Sequence, residues 1–241
     1  MPEVAAWVAE SGFTLDELAS IQPGYMAPII ETWQVWDPAN GRPKWNTTQS
    51  GIAYGWTPAV GTDGTVYVAS QDGMVYALHG ENGQLRWSYR VASNGSSVTA
   101  PPVLGDDDTV YVTTSGDLRG HSNGTVWALN GQTGAPRWSS SPSIIGFNWP
   151  TLGTDGTLFA KSSDGTVYAF SALTGSVMWN VALGIEDTPD FPEPAVGADG
   201  TVYLLDERNS RLAALNGNSG AVLWSATAGT PKRKTAPNIH P

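Results

Sequence analysis

Cysteine is absent from the 241 residues, and its absence excludes disulfide bonds, thiol nucleophiles and thiolate metal sites. Only 14% of the residues are charged, and the formal net charge is −10. Such an acidic chain lacks the basic surface that nucleic-acid phosphates require, so we expect no nucleic-acid partner. No apolar run reaches the length of a membrane span, and the first residues do not read as a secretory signal peptide.

Glycine is abundant, and one unit that contains it, Gly-x-x-x-Trp, occurs five times. Its glycines and tryptophans are Gly41, Gly83, Gly134, Gly175 and Gly220, with Trp45, Trp87, Trp138, Trp179 and Trp224. A proline precedes four of these units, and Pro58, Pro102, Pro150 and Pro194 follow one another at intervals of 44, 48 and 44 residues. Repeats of this length indicate a repeat architecture. Because the glycines and tryptophans recur at fixed positions, we interpret all ten as structural core residues.

Within one unit, Asp-Gly or Asn-Gly pairs separate four short apolar runs. Asp63-Gly64, Asp72-Gly73 and Asn82-Gly83 are examples, and such pairs supply the positive φ angles of two-residue hairpin turns. The third run is apolar on consecutive residues, as in a strand that is buried on both faces. The sequence therefore predicts an all-β fold, a β-propeller built from four-stranded antiparallel blades.

The run Val75-Tyr76-Ala77-Leu78, followed by Asn82-Gly83 and then Trp87, resembles the repeat of PQQ-like (pyrroloquinoline quinone) β-propellers. This family includes quinoprotein alcohol dehydrogenases and the propeller lipoprotein of the bacterial outer-membrane barrel-assembly machinery. The resemblance covers about residues 33 to 240. Because family members are commonly exported, it implies a periplasmic or extracellular location.

The repeat also predicts the domain organisation. Residues 1–24 stand outside it and carry a capping box, Thr14 to Glu17, so we expect a short N-terminal helix there. We expect residues 25–241 to form the propeller, with complete blades at about 58–89, 102–140, 150–181 and 194–226, and a fifth blade split between 25–47 and 235–241. A ring closed by the split blade predicts a monomer. An arc that needs a second copy, hence a homo-oligomer, and a fragment of a larger ring are the alternatives.

The two faces of a propeller carry different turns. The turn after the second strand and the connection to the next blade open on one face, named here the loop face. The first and third turns open on the other, the turn face. The loop face varies between blades, and function on a rigid scaffold usually lies in such loops. The candidate binding residues there are Tyr54, Trp56, Arg119, His121, Asn148, Trp149, Asp187, Asp190 and Arg208. Packing within the loops is the competing interpretation for Trp56 and Trp149.

These features favour a non-catalytic scaffold that binds a protein partner, with no cofactor, metal or catalytic residue. The resemblance implies an alternative, a quinoprotein oxidoreductase that uses PQQ and Ca²⁺ on alcohols or sugars. Asn148, Asp187, Asp190 and Glu193 have the oxygen ligands that Ca²⁺ prefers. Many such enzymes have a pair of adjacent cysteines, which this sequence lacks, and the chain is about half the size expected of them. Both features weigh against this enzyme. We interpret Asp106-Asp107-Asp108 as a hairpin turn rather than a calcium site. A carbohydrate-binding propeller is the second alternative, based on the aromatic loop residues.

Overall fold

The computed structural model describes most of the repeat region as strands and tight turns. The described residues are 32–36, 42–48, 56–92, 96–116, 123–142, 146–183, 194–206 and 211–227. Together they form one two-stranded sheet and four four-stranded sheets, which we call blades 1 to 4.

The two-stranded sheet pairs β1 (Thr32–Trp36) with β2 (Pro43–Thr48). Blade 1 consists of β3 (Ala59–Val60), β4 (Thr65–Ala69), β5 (Met74–His79) and β6 (Leu85–Arg90), and blade 2 of β7 (Val103–Leu104), β8 (Thr109–Thr114), β9 (Thr125–Asn130) and β10 (Pro136–Ser140). Blade 3 consists of β11 (Phe147–Leu152), β12 (Thr157–Ser162), β13 (Thr166–Ser171) and β14 (Val177–Ala182), and blade 4 of β15 (Ala195–Val196), β16 (Thr201–Asp206), β17 (Arg211–Asn216) and β18 (Val222–Thr227).

Each blade is an antiparallel meander in which every strand pairs with its neighbours in the chain. The tight turns follow from glycine at positive φ, with Gly64 at 79° and Gly73 at 85° in blade 1. In blade 2, Asp108 has a φ of 59° in the turn that corresponds to that of Gly64, and aspartate tolerates this region better than most residues. The neighbouring Asp107 accepts a hydrogen bond from the Thr109 N–H at 3.2 Å. The aspartate triplet is therefore a hairpin turn, as the sequence predicts.

The apolar core lies between neighbouring blades. Strands β4, β8 and β12 are buried along their whole length, and β5 is buried on the consecutive residues Val75 to Leu78. Burial on both faces requires a sheet on either side, which explains the continuous apolar runs. Between blades 1 and 2, Tyr67 and Trp87 share one core cluster with Val110 and Leu129.

The predicted all-β fold of four-stranded antiparallel blades is confirmed. The predicted helix in residues 1–24 and the strand in residues 235–241 lie outside the described residues, so the fifth, split blade stays a prediction. The described part of the chain contains no helix that is long and apolar enough to cross a membrane.

Candidate functional site

Four of the repeat tryptophans tie each sheet to the next. In every case the indole Nε1–H donates a hydrogen bond to a backbone carbonyl oxygen of the following blade. The pairs are Trp45 with Gly80 (2.8 Å), Trp87 with Gly131 (2.7 Å), Trp138 with Ala172 (2.9 Å) and Trp179 with Gly217 (2.7 Å). An indole N–H that is withdrawn from water needs such an acceptor, so these bonds satisfy the donors as well as joining the blades.

The glycine of the next unit makes room for each indole ring. A Cβ atom on Gly175 would lie 2.6 Å from Cδ2 of Trp138, closer than real Cβ atoms approach, and 3.0 Å from its Cζ3. The same relation joins Gly83 to Trp45, Gly134 to Trp87 and Gly220 to Trp179. The glycine of one Gly-x-x-x-Trp unit therefore contacts the tryptophan of the preceding unit, and both are engaged in packing.

On the turn face, one aspartate closes the first hairpin of each blade. In blade 1, Asp63 Oδ1 accepts the Thr65 N–H at 2.9 Å, and its Oδ2 accepts Arg86 Nη1 at 2.7 Å. Hydrogen bonds from Thr65 and Arg86 hold the pKa of Asp63 well below its ordinary value. In blade 2, Arg137 forms the corresponding ion pair with Asp107. These carboxylates are ionised and partnered at neutral pH, so their role is to stabilise the turns.

Sequence reasoning missed these arginine–aspartate pairs. Their signal is an arginine directly before the repeat tryptophan, as in Arg86-Trp87 and Arg137-Trp138. Blades 3 and 4 have Met178 and Leu223 at that place, both exposed.

A cleft of about 920 Å³ opens on the turn face between blades 2 and 3. Val103, Leu104 and Leu152 give it an apolar part, and Arg137 with its partner Asp107 gives it a charged one. A smaller cleft of about 260 Å³ lies between blades 3 and 4. The lining of the larger cleft also includes the carboxylates Asp106 and Asp155, so it combines apolar side chains with charged groups of both signs. The sequence did not indicate this cleft, because its residues converge from separate strands.

On the loop face, Trp56 is the predicted binding residue whose side chain the structure describes. Its indole packs against the core cluster between blades 1 and 2, and its Nε1–H donates to the Val98 carbonyl oxygen at 3.1 Å. This geometry corresponds to the packing interpretation. The neighbouring segment bridges to blade 2 through pairing of Val98 with Thr114, so Trp56 holds a connection between blades in place.

Asn148 and Trp149 lie within β11. The sequence had instead predicted that they belong to the connection before Pro150. The strand begins earlier than predicted, and its pairing with β12 shifts between Asn148 and Thr151. Proline cannot donate a ladder hydrogen bond, so Pro150 is accommodated at an irregularity and the strand continues on both sides of it. The first strand of blade 3 thus carries Asn148 and Trp149 at its loop-face end.

The other predicted binding residues lie outside the described residues: Tyr54, Arg119, His121, Asp187, Asp190 and Arg208. Glu193, the remaining candidate calcium ligand, lies there too. Within the described ranges, no three His, Cys, Asp or Glu side chains are grouped closely enough to hold a metal ion. The described residues therefore leave the calcium and PQQ alternative untested.

Solved structures share this fold. The chain superposes on BamB from Moraxella catarrhalis with a TM-score of 0.59 and 21% identity, over 73% of this chain and 49% of that one. It superposes on the quinohemoprotein alcohol dehydrogenase from Comamonas testosteroni with a TM-score of 0.65 and 14% identity, over 83% of this chain and 41% of that one. At these identities the likeness concerns the fold alone.

Sequence relatives identify the family, which the likeness in fold alone does not. The chain is 28% identical to outer membrane protein assembly factor BamB from Yersinia pestis, over 93% of this chain and 56% of the relative. It is 32% identical to the protein of the same name from Moranella endobia strain PCIT, over 73% of this chain and 45% of the relative. The chain thus spans about half the length of the curated relatives it matches. The family model described as outer membrane protein assembly factor BamB matches residues 32–144 and 123–238. Because these matches cover most of the repeat region, the chain belongs to the BamB family of PQQ-like β-propellers.

Proposed function

We propose that the chain is a non-catalytic scaffold that binds a protein partner through its loop face and serves the assembly of outer-membrane proteins. Its relatives are named outer membrane protein assembly factors, which supports a role in that assembly. A location on the periplasmic side of the outer membrane is consistent with such a role. The loop-face residues Trp149 and Arg208 are the proposed centre of contact, since aromatic and arginine side chains dominate protein interfaces.

One observation carries this proposal. Apart from Trp224, which is 45% exposed, the repeat tryptophans are engaged between blades, as with Trp138, and the shared aspartates are engaged in turns, as with Asp63 and Asp107. The segments that differ from blade to blade in the sequence are the predicted loop-face connections. Because the repeated residues stabilise the blades, we expect the loops that differ between blades to bind the partner.

The test is a binding titration against an unfolded outer-membrane β-barrel protein, diluted from urea onto the immobilised chain. We expect saturable binding, and Trp149→Ala and Arg208→Ala should each weaken it about tenfold, equivalent to about 1.4 kcal/mol. Leu173→Ala is the matched control, because Leu173 is an exposed apolar residue on the turn face. Binding no stronger than that of an unfolded water-soluble protein would contradict the proposal, and so would an equal loss in the Leu173 variant.

Thermal unfolding of the same variants separates binding from packing. Trp149→Ala and Arg208→Ala should leave the melting temperature nearly unchanged, whereas Trp56→Phe should lower stability by about 1 kcal/mol, because it removes the hydrogen bond to Val98. A large loss of stability in Trp149→Ala would make that residue a packing residue.

A second titration addresses the quinoprotein alternative. Tryptophan fluorescence is followed while PQQ is added in the presence of Ca²⁺, with calcium alone as the control. The scaffold proposal expects no saturable quenching. Quenching that saturates at micromolar PQQ would replace the scaffold with an oxidoreductase and make alcohols and sugars the next substrates to screen.

A further inference from the structure

The larger cleft on the turn face lies between blades 2 and 3, and both of its walls are described. The first strand and first turn of blade 2 contribute Val103, Leu104 and Asp106 to one wall. The first strand and first turn of blade 3 contribute Leu152 and Asp155 to the other. We call this space of about 920 Å³ the turn-face cleft. Ligand pockets commonly enclose about 300–1,000 Å³, so the turn-face cleft has room for more than one side chain.

The lining of the turn-face cleft carries more negative than positive charge. It includes the carboxylates of Asp106, Asp107 and Asp155 and one cation, Arg137. Arg137 forms an ion pair with Asp107 and also donates to the Asp107 backbone carbonyl oxygen at 3.3 Å. Within the described ranges, neither Asp106 nor Asp155 takes part in an ion pair. The lining therefore holds two carboxylate charges that no described cation neutralises.

Neutral donors orient the Asp155 carboxylate. Its Oδ1 accepts the Thr157 N–H at 3.0 Å, and its Oδ2 accepts the Thr157 hydroxyl at 3.1 Å. In blades 1 and 2 the corresponding aspartates are paired with Arg86 and Arg137, whereas blade 3 has Met178 at the arginine position. Because its two donors carry no charge, Asp155 keeps its full negative charge in a fixed orientation.

Apolar side chains supply the rest of the contact surface. Val103, Leu104 and Leu152 are partly exposed, and Val103 and Leu152 also pack against the buried core between blades 2 and 3. A ligand that covers these side chains gains about 25 cal/mol for each Å² of apolar surface removed from water. Leu173 also lines the cleft but is 84% exposed. It therefore packs little against the protein, and its truncation leaves the apolar walls in place.

We propose that the turn-face cleft binds an extended basic segment of a partner protein, in which a lysine or arginine stands next to an aliphatic residue. The cationic group lies against Asp106 and Asp155, and the aliphatic side chain covers Leu104 and Leu152. The net charge of −10 attracts such a segment before contact. Ligands that carry phosphate groups meet charge of the same sign there and are disfavoured. This surface is separate from the loop face, and the inference does not rest on the proposed function.

The test is fluorescence anisotropy with the intact 241-residue chain and a short labelled peptide in which leucine and lysine alternate. We expect saturable binding that weakens as the salt concentration rises. A peptide with glutamate in place of lysine should not bind, and one with serine in place of leucine should bind more weakly. Asp106→Asn and Asp155→Asn should each weaken binding of the leucine–lysine peptide about fivefold, equivalent to about 1 kcal/mol.

Asp199→Asn is the matched control for Asp155→Asn. Asp199 accepts the same two hydrogen bonds in blade 4, from the Thr201 N–H and the Thr201 hydroxyl, both at 3.0 Å. It lines the smaller cleft between blades 3 and 4. The control variant loses the same charge and should leave peptide binding unchanged, and thermal unfolding establishes that each variant is folded. Trp149→Ala should also leave peptide binding unchanged, so failure of this inference is distinguishable from failure of the loop-face proposal.

Four results would overturn the inference. The first is the absence of saturable binding, which is also what a cleft filled by another segment of the chain would give. The second is equal loss of binding in Asp155→Asn and Asp199→Asn, which would indicate general attraction of cations or binding in the smaller cleft. The third is equal affinity for the serine–lysine peptide, which would remove the apolar walls from the site. The fourth is displacement of the peptide by spermidine at equal affinity, which would make the cleft a site for small cations.

Discussion

Gly175→Ala tests whether the glycine of one unit exists to admit the tryptophan of the preceding unit. Gly175 has a φ of 72°, and a Cβ there would lie 2.6 Å from Cδ2 of Trp138. Two costs therefore add. An L-residue in the left-handed region costs about 1–2 kcal/mol, and a methyl group forced into a packed contact costs about 1–3 kcal/mol. We expect Gly175→Ala to lower the free energy of unfolding by about 2–5 kcal/mol.

Gly156→Ala is the matched control. Gly156 has a φ of 78°, and a Cβ there would meet nothing within 4 Å. It carries the backbone cost of about 1–2 kcal/mol without the steric one. The difference between the two variants measures the clash with the indole alone. For a chain of this size about 1 kcal/mol corresponds to about 2–4 °C, so Gly175→Ala should melt about 2–12 °C below Gly156→Ala.

The assay is thermal unfolding followed by circular dichroism, repeated in a Trp138→Ala background. Removing the indole removes the clash, so there the two alanine variants should differ by less than about 0.5 kcal/mol. The Ala172 carbonyl keeps a donor in that background, because the Tyr111 hydroxyl also binds it, at 3.1 Å. Equal melting temperatures for Gly175→Ala and Gly156→Ala in the wild-type background would refute the reasoning, as would a difference that persists without Trp138.

Two further predictions concern ionisable groups. A hydrogen bond from Thr109, together with Arg137, lowers the pKa of Asp107, so its contribution to stability is present above the unfolded pKa of about 4 and is lost as the pH falls through the lower folded value. The melting temperature should therefore decrease as the pH drops below about 4. Asp107→Asn should reduce this decrease, while Asp106→Asn, at the neighbouring position, should leave it unchanged. Equal acid sensitivity in both variants would contradict the assignment. Burial and then the nearby Asp72 carboxylate raise the pKa of Tyr76 to about 12. The neutral phenol therefore stabilises the folded state below about pH 10, and this contribution is lost as the pH rises toward the pKa of Tyr76 in the folded protein. Difference absorbance at 295 nm between the wild type and Tyr76→Phe should show a phenolate that forms near pH 12, and ionisation near pH 10 would be the contrary result.

Much of the architecture was predictable because its signals are local. Asp63-Gly64 and Asp72-Gly73 specify hairpin turns through backbone conformations that glycine adopts without strain. The apolar run from Val75 to Leu78 indicates a strand between two sheets, and it is buried on those residues. In blade 2 the aspartate triplet was predicted to be a turn, and Asp108 takes the left-handed conformation there.

The candidate site was less predictable because it depends on contacts between distant residues. Nothing near Trp138 in the sequence identifies Gly175 as the residue that contacts it. The pairing of Arg137 with Asp107 joins residues 30 positions apart, and the turn-face cleft forms only when strands from blades 2 and 3 converge. The predicted binding residues Arg119, His121, Asp187 and Arg208 remain predictions, while Trp56 packs between blades.

The sequence by itself determined the repeat, the number of strands in each blade and the type of turn between them, because propensity and periodicity act over a few neighbouring residues. It also determined which five tryptophans belong to one class. Only the tertiary structure decided their surroundings. Trp87 and Trp224 stand at the same place in the same motif, yet one is 9% exposed and the other 45%. Burial is a property of what lies against a side chain, and a residue's own sequence position does not specify that neighbour.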